Sequence, residues 1–143
     1  MEVAKPLIPE NLYYDQNDFW VKVNGHLAVV GMTDYGQKNT GDILYLEIAE
    51  PGTYVKRGEK CGSIESGKWV GNLLAPLSGV IMERNNEAEL NPRIVNFDAY
   101  GEGWLYQIQI SDFEQLNSLL TAGEYAEWTA SQDSIEAEVR QEI

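Results

Sequence analysis

The chain has one cysteine, Cys61, and one histidine, His26, among 143 residues. A single thiol excludes an internal disulfide framework and fits a reducing compartment. One histidine without a cysteine pair leaves no metal-binding set. Long apolar runs are also missing, so no membrane span is expected. Cations are scarce, with 10 Lys and Arg against 23 Asp and Glu for a net charge of −13. This balance argues against nucleic acid, because a phosphate backbone needs clustered Lys and Arg. Residues 1–10 carry one lysine and two prolines but no apolar h-region. No secretory signal is therefore expected, and the expected location is cytoplasmic. Carboxylates are plentiful, yet none is paired with an acid–base context, and no nucleophile stands with a base. A stand-alone enzyme has little support.

What is present describes one domain with a sizeable core, 43% hydrophobic. Eight acidic residues lie in 111–143 against the single Arg140. Such a surface favours partners with basic docking patches, or it simply keeps the chain soluble. A monomer is expected.

The chain reads as mainly β. Phe19-Trp20-Val21-Lys22-Val23 and His26-Leu27-Ala28-Val29-Val30 form a hairpin around Asn24-Gly25, a pair suited to a type I′ turn. Residues 33–38 read as a loop or a single helical turn capped by Thr33 or Asp34. Ile43 to Ile48 is a strand closed by Pro51-Gly52. Gly52, Val55 and Gly58 permit tight turns, with the valine as a core plug. Strands are expected at 61–65, 70–75 and 79–83, a helical turn around 91–95, and an alternating strand at 103–110 with Trp104, Tyr106, Ile108 and Ile110 on one face. Ser111 and Glu114 suggest a capping box, followed by a stripe of Phe113, Leu116, Leu119 and Leu120 that Gly123 would end. A second short helix would carry Tyr125 and Trp128. The domain is expected to span 1–130, with 131–143 as an acidic helix or tail in which only Ile135 and Val139 keep helical spacing.

Between two of these strands lies Ile64-Glu65-Ser66-Gly67-Lys68-Trp69-Val70-Gly71. This context puts Lys68 at a hairpin tip. A lysine so displayed is what a carrier of a covalent prosthetic arm requires. Gly67 can adopt whatever backbone angle the turn needs, and Gly79, in Pro76-Leu77-Ser78-Gly79-Val80, reads as a structural turn opposite the lysine. Cys61 reads as a packed, inert thiol and His26 as solvent-facing.

Glu65-Ser66-x-Lys68, Ala75-Pro76-x-Ser78-Gly79, Asn91-Pro92 and Tyr100-Gly101-Glu102-Gly103-Trp104-Leu105 follow one another in the order seen in the glycine cleavage system H proteins, and the chain resembles that family from about residue 12 to about 128. Trp20-Val21-Lys22-Val23, Gly31-x-Thr33-Asp34-Tyr35 and Gly41-Asp42-Ile43 match upstream. The resemblance implies a barrel-sandwich hybrid with C-terminal helices, of the lipoyl/biotinyl-carrier type, and lipoic acid in amide linkage to Lys68. It also implies a non-catalytic carrier whose partners are a lipoate–protein ligase or lipoyl-assembly enzymes and the enzymes that use the arm. Glu65 would be an acidic handle for the attaching enzyme. Biotinyl carriers usually hold the lysine between two methionines, whereas Lys68 stands between Gly67 and Trp69.

The chain departs from the family where partners and arm would touch. The usual turn reads E-S-V-K-A, a small residue, then Ser and Asp; here Trp69 replaces alanine and Asn72 the acid. The family's H-E-W is Asp18-Phe19-Trp20. The turn resembles the lipoate-binding proteins of sulfur-oxidising heterodisulfide-reductase-like systems, which implies an arm carrying sulfur intermediates and electrons. Glycine cleavage with an aminomethyl cargo is the alternative, and a non-lipoylated acidic interaction module a further one. Trp69 would shield the arm or pack as ordinary rim.

Overall fold

The computed structural model describes residues 5–142, so Met1 to Ala4 and Ile143 of the two end segments lie outside the described residues, as does the Val139 side chain. Among the described residues nine strands build two sheets. The larger has the order β1-β2-β3-β9-β8-β5 and the smaller β4-β6-β7, with every pairing antiparallel. The strands are β1 Tyr13–Tyr14, β2 Phe19–Asn24, β3 Leu27–Met32, β4 Ile43–Ile48, β5 Tyr54–Val55, β6 Lys60–Ser66, β7 Val70–Leu74, β8 Gly79–Arg84 and β9 Tyr106–Ile110. Alternation sends Phe19, Val21, Val30, Ile81, Tyr106 and Ile108 inward from the large sheet. They meet Ile43, Leu46, Ile48, Ile64 and Leu73 of the small sheet in one core. Val55 plugs that core at 3% exposure, between turns where Gly52 and Gly58 have φ of 93° and 84°.

The β2–β3 loop is Gly25-His26, since Asn24 pairs with Leu27. Among the described residues Asp18 is the one non-glycine with positive φ, and Gly25 has φ 63°. Positive φ at the first central position alone is the type II′ pattern, not the expected type I′. Residues 34–40 form α1, Asp34–Thr40, longer than the expected single turn, with Thr33 Oγ1 accepting from the Gly36 amide. Two short helices follow β8, α2 Asn86–Leu90 and α3 Arg93–Phe97.

Three expectations at the C-terminal end are corrected. Trp104 lies before β9 and packs in a separate cluster, not on the Tyr106–Ile110 face. Asp112, not Ser111, caps the next element, which is a 3-10 helix over Phe113–Ser118. Gly123 stops nothing, because it sits in the first turn of α4, Ala122–Glu142. The reciprocal capping box is instead Thr121 with Glu124, each side chain accepting from the other's amide at 3.2 and 3.0 Å. From there α4 runs 21 residues without a break, across the expected boundary at 130.

What holds α4 is an aromatic cluster. Tyr125 stacks on Tyr14 at 4.7 Å and on Trp128 at 5.7 Å, and Trp20, Tyr35, Tyr100 and Trp104 complete the patch. Trp20 lies flat on Gly31, where a Cβ would come within 2.4 Å of the indole. Among the described residues no helix is long and apolar enough to cross a membrane.

Candidate functional site

The site is built around the β6–β7 hairpin. Glu65 pairs with Val70, leaving Ser66-Gly67-Lys68-Trp69 as the turn. The Ser66 amide donates to the Trp69 carbonyl at 2.8 Å, while the Ser66 hydroxyl accepts from the Lys68 and Trp69 amides at 3.3 and 3.1 Å. The hydroxyl thus takes the place of a backbone acceptor and fixes the tip. Gly67 is not needed for its backbone freedom: its φ is not positive and an added Cβ would meet nothing within 4 Å.

Lys68 is exposed at this tip, and its ammonium makes no hydrogen bond or ion pair with a described residue. Its aliphatic stem crosses Gly41, just before β4; a Cβ there would lie 2.7 Å from Lys68 Cε. Gly41, with φ 84°, therefore both turns the chain and leaves room for the stem.

Beside the lysine opens a cleft of about 440 Å³ between the hairpin, α1 and the β1–β2 connection. Phe19, Met32, Trp69 and Leu73 give it apolar walls, and Asp18, Asn39, Thr40 and Asn72 a polar edge. Trp69 is 46% exposed and lies along β7 over Gly71, whose added Cβ would be 2.1 Å from the indole. Trp69 and Gly71 are thus one unit, the glycine giving the ring its seat.

Asp18 was visible in the sequence only as a departure from the family pattern. The structure gives it a left-handed φ of 68° and ties its Oδ1 to the Tyr125 hydroxyl at 2.8 Å, which in turn bonds Thr33 Oγ1 at 2.6 Å. Burial raises its carboxyl from 3.8 to about 6, against the Tyr125 hydrogen bond. Neighbouring Asp15 is likewise raised to about 6 by burial, despite accepting from the Phe19 and Asn17 amides. These partners lie up to 107 residues apart, so no local signal reveals them.

The other expected residues are placed as follows. Glu65 and Asn72 are exposed on the small sheet, opposite Val70 and Ser63. Gly79 is not in a turn but opens β8, paired with Val55 and Ile110. Its requirement is close backbone approach, since a Cβ would sit 2.1 Å from the Gln109 carbonyl oxygen. Cys61 is 1% exposed, and burial pushes its thiol up to about 11, so it is a packed hydrophobe. His26 is exposed against the edge of Phe113 at 5.5 Å.

The exposed amine on a tied tip, beside an apolar-walled cleft, leaves room for a covalent arm with an apolar stem. The comparisons with known proteins agree. The family profile of the glycine cleavage H-protein matches residues 12–132. A probable glycine cleavage system H protein 2 of Sulfolobus acidocaldarius is 46% identical over 118 residues, covering 80% of this chain and 79% of the relative. The glycine cleavage system H protein of Carboxydothermus hydrogenoformans is 37% identical over 119 residues, covering 83% and 92%. The crystal structure of a glycine cleavage system H protein from Mycobacterium marinum superposes with a TM-score of 0.80 at 36% identity, covering 86% of this chain and 99% of that one. The chain belongs to the glycine cleavage H-protein family, whose members are non-catalytic carriers of a lysine-bound lipoyl group.

Proposed function

We propose that Lys68 is the attachment point of the lipoyl arm and that the arm serves a sulfur-oxidising, heterodisulfide-reductase-like system. The observation that carries the first statement is the Lys68 ammonium, without an ion-pair partner among the described residues and exposed on a turn tied by Ser66 beside a cleft walled by Phe19, Met32, Trp69 and Leu73. When bound, the lipoyl group supplies a dithiolane that exchanges with thiols and carries cargo and electrons between enzymes. Lys68 anchors it, Ser66 keeps its root in place, and tethering raises its concentration at each docked enzyme. The carrier itself needs no catalytic group.

Three residues at the cleft support the second statement. An aminomethyl cargo brings a basic nitrogen, which is held best by carboxylates. Here Phe19 and Asn72 stand where the family has acids, and Trp69 adds a flat apolar wall. The one carboxyl on the polar edge, Asp18, is raised to about 6 and already engaged with Tyr125. Such a lining favours a soft, uncharged sulfur cargo over an ammonium.

Two measurements test the reading. Loading with lipoate should modify the wild-type chain and not Lys68→Arg; full partner activity in that variant would favour the non-lipoylated interaction module instead. The loaded carrier is then mixed with glycine decarboxylase components and, separately, with a heterodisulfide-reductase-like complex. Reduction or loading of the arm by the second and not the first is the expected result, and the reverse assigns the carrier to glycine cleavage.

A further inference from the structure

The outward face of the small sheet borders Lys68 and meets the cleft at Asn72. Its register puts Tyr45, Glu65 and Val70 in one row and Glu47, Ser63 and Asn72 in the next. Tyr45 is 67% exposed and Val70 71%, a bare apolar pair beside the tip. Glu47 and Glu65 make no ion pair with a described residue. Glu89 at the rim differs, for it is committed to Arg84 and to the Ile48 amide. On the middle strand Glu65 thus lies between Tyr45 and Val70, and Glu47 stands in the next row, so the face sets two carboxylates without an ion pair to a described residue among two exposed apolar side chains.

Which partner needs this face follows from reach. Before the arm is attached, only the lysine side chain, about 6 Å of staggered single bonds, separates its amine from the backbone. An enzyme that acylates the amine must therefore lie against the hairpin. Enzymes that use the finished arm can stand off by its added length. Amide formation proceeds by attack of the neutral amine on an acyl–nucleotide anhydride. The N–C bond forms, the C–O bond to phosphate breaks, the nucleotide monophosphate leaves with the electron pair, and the proton lost from nitrogen goes to solvent. An enzyme that holds this anionic intermediate carries cations around its mouth.

We propose that the Tyr45–Glu65–Val70 row, with Glu47, docks the enzyme that acylates Lys68, Tyr45 and Val70 forming the apolar contact and the two glutamates meeting a Lys- or Arg-rich rim. This rests on the lipoyl reading of Lys68. The face adjoins the cleft at Asn72 and extends the recognition surface from Glu65 to β4 and β7.

The test follows the initial rate of Lys68 acylation with purified lipoate–protein ligase, lipoic acid and ATP, at carrier concentrations below saturation. Tyr45→Ala with Val70→Ala should lower the rate about tenfold or more, the scale of losing central contact residues. Glu47→Lys with Glu65→Lys should lower it similarly and flatten its salt dependence. Tyr45→Phe should keep most of it, and Leu90→Ala, at an 87% exposed position on α2, should leave it unchanged. Circular dichroism melts check that each variant is folded. After forced loading with excess ligase, each variant's arm should be reduced by dihydrolipoyl dehydrogenase and NADH at the wild-type rate. Wild-type loading rates in the folded variants overturn the docking face and leave Lys68 standing. Equal losses in loading and in arm reduction overturn the assignment to the acylating enzyme. Failure of the wild-type chain to load overturns the lipoyl reading and this inference with it.

Discussion

Replacing Gly71 by alanine puts a methyl carbon 2.1 Å from Cζ2 and 2.3 Å from Cη2 of Trp69, and the three nearest heavy atoms all belong to that ring. The backbone does not resist the change, because Gly71 is not in the left-handed region. The ring must therefore leave its seat. Trp69 is 46% exposed, so roughly half of its surface is covered. Half of a tryptophan's burial is about 100 Å², worth at most about 2.5 kcal/mol. Losing most of that contact, offset by about 0.4–1 kcal/mol from a stiffer unfolded chain, makes Gly71→Ala destabilising by about 1 kcal/mol. With Trp69→Ala already present the clash is gone. The same change should then stabilise by about 0.4–1 kcal/mol. The sign reversal corresponds to a coupling of about 1–2 kcal/mol, read from urea unfolding followed by far-ultraviolet circular dichroism. Additivity of the two changes within about 0.5 kcal/mol would refute the seated-ring geometry.

Other outcomes follow from the same structure. Burial raises the Asp15 and Asp18 carboxyls from 3.8 to about 6, so the folded chain holds protons that the unfolded chain has released. Their contribution to stability is full below about pH 4 and is lost as pH rises through about 6. Asp18→Asn, which keeps an acceptor for Tyr125, should shrink that decline by about half in pH-dependent thermal melts; an unchanged profile contradicts the burial of this carboxyl. Gly79→Val drives side-chain carbon against the Gln109 carbonyl in the β8–β9 ladder and should cost roughly 3 kcal/mol or more, seen as loss of soluble folded protein or a much lower melting temperature. Gly67→Ala meets open space and should raise stability by about 0.4–1 kcal/mol while Lys68 still accepts lipoate.

Local patterns carried the strands well where a period of two was bounded by glycine or proline. Ile43–Ile48 begins and ends where Gly41-Asp42 and Pro51-Gly52 imply. The lysine tip was equally legible, since the Ser66-Gly67-Lys68-Trp69 turn separates two strands that pair with each other. The helices fared worse for physical reasons. The short α2 buries only Ala88 and so shows no apolar stripe, although Asn85 caps it through its side chain. In α4 few positions are buried, and Tyr125 docks by contacts with Thr33 and Tyr14, about 100 positions away, which outweigh the glycine in its first turn. Of the site, the cleft was hidden because its walls come from β2, β3, α1 and β7. Asp18 showed only as a mismatch to the family pattern. The seat that Gly71 provides for Trp69 needs three-dimensional spacing to be seen.

The attachment itself is tested most directly by intact mass of the chain produced with lipoic acid and an active lipoate–protein ligase. A single lipoyl amide on the wild-type chain, mapped to Lys68 and absent from Lys68→Arg, is the predicted result. An unmodified wild-type chain, or a lipoyl group that persists in Lys68→Arg, would contradict the account.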